Sequence, residues 1–157
     1  MVKGTFLVER SATILAVPHV VHEQIVDLRK WRAWSPWEDL DPKMRRVYSG
    51  ARSGTGAVYD WTGNDKAGAG SMRILENVPP RHLKIALAFD HPYPARNTVW
   101  FTIAPAGEDS SHVIWTMTGS LSPGLRLFSL VRPMDRMIGP DLDRGLARLK
   151  TLLESPV

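Results

Sequence analysis

The chain has 157 residues, no cysteine and a formal charge of +4, from 20 basic and 16 acidic side chains. This length fits one domain over residues 1–157 with its own core, and the lack of cysteine excludes disulfides, zinc–thiolate sites and thiol catalysis. The sequence lacks a signal-peptide core and any run of about 18 apolar residues, so we expect a cytoplasmic protein without stable membrane insertion.

The first predicted elements are a strand and a short helix. Alternating apolar residues predict a strand over Thr5–Ile14. Pro18 suits the first position of a helix, where no backbone N–H is needed. Val21, Ile25 and Leu28 then fall on one helical face, which indicates a helix packed against a core.

A tryptophan-rich segment follows this helix: Trp31-Arg32-Ala33-Trp34-Ser35-Pro36-Trp37. It leads to a turn at Asp41-Pro42, because proline interrupts regular structure there. We interpret the segment as a lid or hinge.

Six further strands are predicted at a spacing of about 8–12 residues, each bounded by turn-forming residues. They are Arg45–Ser49, Ala57–Thr62, Ser71–Asn77, His82–Phe89, Thr98–Ala104 and Val113–Leu121. Since the connections are short, the pattern predicts an antiparallel meander rather than βαβ units.

The last third of the chain predicts one long helix or two. Apolar residues recur there at helical spacing: Leu125, Phe128, Leu130, Val131, Met134, Ile138, Leu142, Leu146, Leu149 and Leu153. Pro140 predicts a kink or a restart near Gly139. The basic residues of this stretch are interleaved with acidic ones: Arg126, Arg132, Arg136, Arg144, Arg148 and Lys150. We interpret them as a solvated helix face rather than a nucleic-acid or anionic-lipid surface.

The order of elements resembles the SRPBCC/START-like helix-grip superfamily, and within it the bacterial polyketide cyclase/dehydrase and lipid-transport branch. The likeness is carried by the tryptophan-rich segment with Asp41-Pro42, and by four further stretches: Tyr48-Ser49-Gly50, Gly54 to Asn64, Gly68-Ala69-Gly70-Ser71-Met72 and Met134 to Lys150. The resemblance implies an α+β fold in which a curved seven-stranded antiparallel sheet wraps around a long C-terminal helix, with two short helices after the first strand.

The resemblance also implies a hydrophobic cavity between sheet and helix. Side chains alternate between the two faces of a strand, so the apolar set of each strand predicts the lining. The central candidates are Tyr59, Trp61, Met72, Ile74 and Ile85, and the same faces carry Ala57, Leu83, Leu87, Phe89, Val113, Trp115 and Met117. Met134, Met137, Ile138 and Leu142 are expected to close the space from the helix. On the strand Thr98–Ala104 the pattern leaves open whether Val99, Phe101 and Ile103 or Trp100 and Thr102 face inward.

Such a lining suits a flat apolar ligand, with the Tyr59 hydroxyl and the Trp61 or Trp115 N–H as orienting donors. Alternation turns Asp60 outward. One of Glu9 and Arg10 must face inward, where Arg10 either anchors a ligand carbonyl or pairs with a carboxylate of a neighbouring strand. Glu76 shares the face of Met72 and Ile74 near the strand end, as a candidate acid or base or a rim residue.

The histidines and the glycine-rich stretch carry no chemistry in this interpretation. His19 and His22 lack further ligands for a metal and are predicted at the surface, and His82, His91 and His112 are predicted as exposed turn residues. The stretch Gly63 to Gly70 lacks the Lys-Ser/Thr ending of a phosphate loop, so it is predicted as a mobile hairpin tip.

Three functions follow, and no cofactor is expected in any of them. We prefer a carrier that binds a hydrophobic small molecule, such as a lipid, fatty acyl chain or aromatic polyketide. The alternatives are a cyclase, aromatase or dehydratase using Tyr59, Arg10 or Glu76, and a protein-interaction module. A homodimer through an edge strand is possible in each case. The His pair and carboxylate of the superfamily's non-haem iron oxygenases are not found.

Overall fold

The structure is a computed structural model that describes residues 5–91, 94–120 and 134–155. A seven-stranded antiparallel sheet has the order β1-β7-β6-β5-β4-β3-β2. Its strands are β1 Thr5–Ile14, β2 Arg45–Gly50, β3 Ala57–Thr62, β4 Ala69–Val78, β5 His82–His91, β6 Ala95–Pro105 and β7 Ser111–Ser120. Helix α1 (Pro18–Val26) and a 3₁₀ helix (Leu28–Ala33) follow β1, and helix α2 (Met134–Glu154) comes last. The predicted helix-grip architecture is therefore confirmed.

Helix α2 is fastened to strand β1 along its length. Arg10 donates from Nη1 and Nη2 to the two carboxylate oxygens of Asp135, at 2.8 Å each, and from Nε to Asp143 at 3.1 Å. At the other end, Lys150 Nζ donates to the Thr13 carbonyl at 2.8 Å, and the Leu15 amide donates to Glu154 at 2.8 Å. Arg10 is thus the inward residue of its pair with Glu9. Its partners lie on the helix rather than on a neighbouring strand.

The tryptophan-rich segment belongs to the core, so its interpretation as a lid or hinge is wrong for its first two tryptophans. Trp31 and Trp34 are 1 % and 0 % exposed. Their indole N–H groups donate to the carbonyls of Ile25 and Gln24, at 2.8 and 3.1 Å. Both rings meet Phe101 and Trp115 edge to face. Since each buried aromatic ring removes about 150–250 Å² from water, this cluster fills the space beneath α2.

Strand β6 presents Val99, Phe101 and Ile103 to the core, which settles the choice that the alternation left open. Trp100 lies half-buried on the outer face. The inner face is fixed by pairing with β7, where Phe101 lies opposite Trp115 and Ile103 opposite Val113.

Helix α2 continues through Pro140, so the predicted restart near Gly139 does not occur. Proline removes one backbone hydrogen bond, to the carbonyl of residue 136. The buried side chains that follow hold the helix against the sheet: Leu142, Leu146 and Leu149.

Several predicted positions lie outside the described residues: Leu121, Leu125, Arg126, Phe128, Leu130, Val131 and Arg132.

Candidate functional site

A cavity of about 240 Å³ lies between one end of the sheet, the loop over residues 35–44 and helix α2. Its wall is mainly aromatic and aliphatic, with a few polar side chains. The lining residues are Ser35, Trp37, Glu38, Leu40, Met44, Tyr59, Trp61, Lys66, Ala67, Met72, Leu87, Phe89 and Asp141. Lys66 is exposed and Asp141 is half-buried, so the cavity opens to the surface beside them.

The register of β3, β4 and β5 brings the aromatic part of this wall together. Tyr59 lies opposite Met72, and Met72 lies opposite Leu87. Gly70 lies opposite both Trp61 and Phe89. A Cβ on Gly70 would lie 2.8 Å from Trp61 Cη2, so the glycine makes room for the indole ring.

The predicted lining residues separate into two groups. Tyr59, Trp61 and Met72 line the cavity, with Leu87 and Phe89. Ile74 and Ile85 pair with each other deeper in the sheet and are fully buried in the core. Trp115 and Met117 are likewise core residues, at 0 % and 2 % exposure. The aromatic cluster beneath α2 occupies the space that the sequence left open for a ligand.

The hairpin between β3 and β4 forms one wall of the cavity. Asn64 donates from its backbone to Asp41 at 2.9 Å and from its side chain to the Leu40 carbonyl at 3.3 Å. Trp61 Nε1 donates to the Ala67 carbonyl at 2.9 Å. These hydrogen bonds join the tip to the loop over residues 35–44, and the mobility of the tip stays a prediction.

The principal polar group of the site is Glu38, which the sequence interpretation missed. Its side chain is 7 % exposed and accepts at Oε2 from Arg46 Nε at 2.8 Å and from the Tyr59 hydroxyl at 3.3 Å. Arg46 Nη2 also donates to the Glu38 carbonyl at 2.8 Å. The sequence does contain a signal for this pair. Glu38 is a carboxylate directly after Trp37 in an apolar segment, and Arg45 and Arg46 begin the next strand.

These contacts raise the pKa values of Tyr59 and Arg46. Burial, with the negative charge of Glu38, raises the pKa of Tyr59 well above its usual value. Burial opposes the charged form of Arg46, but its hydrogen bond and charge interaction with Glu38 prevail and raise the pKa of Arg46. At neutral pH Tyr59 is a neutral phenol and Arg46 is a cation.

The aromatic wall continues beyond the cavity as a ladder. Tyr48 and Tyr59 stack with centroids 5.0 Å apart, Tyr59 and Trp61 stack at 5.8 Å, and Phe89 meets Trp61 edge to face at 5.6 Å. Arg29 lies over the outer ring of Tyr48, 4.9 Å from its centroid. The Tyr59 and Trp61 rings at the cavity wall are therefore packed between other aromatic rings.

The other polar candidates lie away from the cavity. Asp60 is exposed, as alternation predicts. Glu76 is exposed too, because a bulge between Ile74 and Glu76 reverses the alternation, and it lies 3.5 Å from His82. Glu9 accepts a hydrogen bond from Thr116 on the outer face, at 2.9 Å.

His22 is buried, so the prediction that it lies at the surface is wrong. It is 7 % exposed, and its Nε2 lies 2.7 Å from Asn77 Oδ1, so the polar ring is accommodated by one partner from β4. His19 and His91 are exposed, whereas His82 and His112 are half-buried.

Among the described residues no group of three His, Asp or Glu side chains is placed to hold a metal ion. Within the same residues, no helix has the length and apolar character needed to cross a membrane.

A family model described as polyketide cyclase / dehydrase and lipid transport matches residues 5–154. No curated protein is significantly similar in sequence.

Solved structures share the fold over nearly the whole chain. Protein CV1439 from Chromobacterium violaceum matches with a TM-score of 0.67 at 15 % identity, over 96 % of this chain and 99 % of that one. XoxI from Bacillus cereus matches with a TM-score of 0.68 at 16 % identity, over 95 % and 96 %. The Aha1 dimer from Colwellia psychrerythraea matches at 0.59 and 16 % identity, over 96 % and 97 %. At such identities the likeness concerns the fold alone.

Proposed function

The chain belongs to the polyketide cyclase / dehydrase and lipid transport family, and from that premise we propose that it binds a hydrophobic small molecule in the cavity beside Tyr59 and Trp61. The observation that carries the proposal is the cavity of about 240 Å³ itself, which is open to the surface and walled by aromatic and aliphatic side chains. Burial of apolar ligand surface supplies the driving force, and the few polar groups orient the ligand.

Binding is favoured over acid–base catalysis by the state of the polar groups. A proton donor works best when its pKa lies near the working pH, whereas the raised pKa of Tyr59 makes it a weaker acid than free tyrosine. Arg10 is held by Asp135 and Asp143, and Glu76 is exposed away from the cavity. A carrier needs none of these groups to titrate.

The test is ligand binding to the purified protein. We expect mass spectrometry of the gently purified protein to detect a bound apolar molecule, or a panel of fatty acids and polycyclic aromatics to raise the melting temperature and quench tryptophan fluorescence. Leu40→Trp places a large ring in the wall and is expected to weaken binding about ten-fold or more. Leu75→Trp, on the outer face where Leu75 is 41 % exposed, is the matched control. No ligand, no shift and no quenching would refute the proposal.

Cyclase-type catalysis is the second candidate, supported by the meeting of a carboxylate, a phenol and a guanidinium at the cavity wall. Positioning of a reactive chain can by itself contribute about 7–11 kcal/mol to lowering a barrier. Product profiles of a polyketone substrate that are unchanged in Tyr59→Phe and Glu38→Gln proteins would remove this candidate.

Two further predictions belong to the proposal. A cytoplasmic location suits a chain without cysteine. A homodimer would use the edge strand β2, which follows the tryptophan-rich segment and exposes Val47. Analytical ultracentrifugation tests the second prediction, and a monomer at all concentrations would contradict it.

A further inference from the structure

The side chains that the sequence suggested as donors for a ligand are engaged elsewhere or lie outside the cavity. Sequence patterns suggested the Tyr59 hydroxyl and the Trp61 N–H as donors for a ligand. In the structure Tyr59 donates to Glu38 and Trp61 donates to the Ala67 carbonyl. Trp115 Nε1, the third suggested donor, is buried without a partner among the described residues and does not line the cavity.

One carboxylate oxygen of Glu38 accepts no hydrogen bond from the described residues. Both side-chain hydrogen bonds that Glu38 accepts end on Oε2, and the described residues provide no partner for Oε1. Oε1 is not among the fully buried atoms that lack a partner. Glu38 lines the cavity, and its side chain is only 7 % exposed, so the cavity is where a ligand can reach Oε1 as an anionic acceptor.

The size of the cavity limits the ligand. A cavity of about 150 Å³ holds benzene, so about 240 Å³ accommodates roughly ten non-hydrogen atoms. The interior beneath α2 offers no extension, because Trp31, Trp34, Phe101 and Trp115 fill it. A long acyl chain would have to leave most of its length in water.

Both carboxylates of the lining have a cationic partner: Glu38 pairs with Arg46, and Asp141 pairs with Arg144. Lys66 adds an ammonium at the exposed rim, and Ser35 Oγ accepts from the Trp37 amide at 3.4 Å. An anionic group placed against Oε1 of Glu38 would meet a carboxylate oxygen with no proton between them, so an uncharged hydroxyl is favoured at that position.

Resting on the proposed function, we infer that the ligand is a compact, uncharged aromatic molecule of one or two fused rings whose hydroxyl donates a hydrogen bond to Oε1 of Glu38. The rings lie against Tyr59 and Trp61, and the hydroxyl reaches Glu38. Glu38 is the residue that determines specificity.

The experiment compares three probes of similar size by fluorescence titration and calorimetry, namely naphthol, methylnaphthalene and naphthoate, with palmitate as a long-chain comparison. A hydrogen bond to a charged acceptor predicts that naphthol binds about ten-fold or more tightly than methylnaphthalene, and naphthoate is expected to bind weakest. In Glu38→Gln the preference for naphthol is expected to fall to about three-fold or less. Glu76→Gln, which changes an exposed carboxylate outside the cavity, should retain the full preference.

The results that would overturn this inference differ from those that would overturn the proposed function. Equal affinity of the wild-type protein for naphthol and methylnaphthalene overturns the inference while leaving hydrophobic binding intact, and so does tight binding of palmitate with no binding of either ring. Absence of binding for all these probes counts against the proposed function itself. Because the wild-type comparison decides the matter alone, the inference stays testable even if Glu38→Gln does not fold.

Discussion

Gly145 of helix α2 lies directly against the indole ring of Trp115: a Cβ at this glycine would be 2.7 Å from Trp115 Cζ3 and 2.9 Å from Pro36 Cδ. The close approach lets the helix settle onto the aromatic cluster that fills the interior. Contact at this distance involves rigid rings, which cannot move aside without disturbing the core.

We therefore expect Gly145→Ala to destabilise the protein. Alanine gains about 1 kcal/mol of helix propensity, but overpacking of a rigid core costs about 1–3 kcal/mol, so the melting temperature should fall by a few degrees. Thr151→Ala is the matched control, because this exposed position of the same helix gains helix propensity without meeting the core. Thermal unfolding compares the two, and a Gly145→Ala protein as stable as Thr151→Ala would contradict the packing argument.

The pair formed by Glu38 and Arg46 should be strongly coupled, since the side chains are only 7 % and 14 % exposed. Arg46→Met leaves the carboxylate buried without its cation and is expected to lower the free energy of unfolding by about 3 kcal/mol. Glu38→Gln should cost less, because the amide oxygen still accepts from Arg46.

Denaturant unfolding of both single variants and the double variant measures this coupling. Arg144→Met, which removes a more exposed ion pair with Asp141, serves as control with an expected cost of about 0.5 kcal/mol or less. Additive effects of Arg46→Met and Glu38→Gln would show that the pair is not coupled.

Tyr59 should resist ionisation in the folded protein. Its folded-state pKa is raised, mainly by burial and then by Glu38, so its contribution to stability is complete below the ordinary tyrosine pKa and is lost as pH rises through the folded value. Burial and Glu38 also raise the pKa of Tyr48, by less, so spectroscopic titration should show Tyr48 ionising late and Tyr59 last, together with alkaline unfolding. Tyr59→Phe should remove the last step, whereas Tyr48→Phe should keep it. A last step that persists in Tyr59→Phe would assign it elsewhere.

Acid should loosen the attachment of α2 to β1. The hydrogen bond from Arg10 lowers the pKa of Asp135 below its usual value. Its contribution to stability is therefore present above the ordinary aspartate pKa of about 3.9 and is lost as pH falls through the lower, folded value. Melting temperatures measured across this acid range should fall less steeply in Asp135→Asn than in the wild-type protein. Asp60→Asn, at an exposed position without an ion pair among the described residues, should keep the wild-type slope.

Local patterns predicted the strands and the pairing of faces because alternation and turn residues act over a few neighbouring positions. They also identified Tyr59, Trp61 and Met72, since these share the inner faces of adjacent strands that meet at the cavity. The same reasoning failed at Glu76, where a single bulge reverses the alternation, and a bulge leaves no clear mark in the residue types around it.

The outcome for the tryptophans shows a different limit. Trp115 lies far along the sequence from Trp31 and Trp34, yet the three rings meet within 6.1 Å beneath α2. Whether such rings line a hollow or fill it depends on how closely the helix approaches the sheet, and Gly145 permits a close approach. The distance between the helix and the sheet cannot be derived from the number of aromatic residues.

The residues alone determined the strands, the C-terminal helix and an apolar inner face, because periodicity and turn chemistry are local properties of the chain, and the family resemblance implied their helix-grip arrangement. Only the tertiary structure decided that the interior is mostly filled, that the remaining cavity lies at one end, and that Glu38 meets Arg46 and Tyr59 there. The reason is physical: burial of a charge and the volume of a void depend on atoms brought together from distant parts of the sequence.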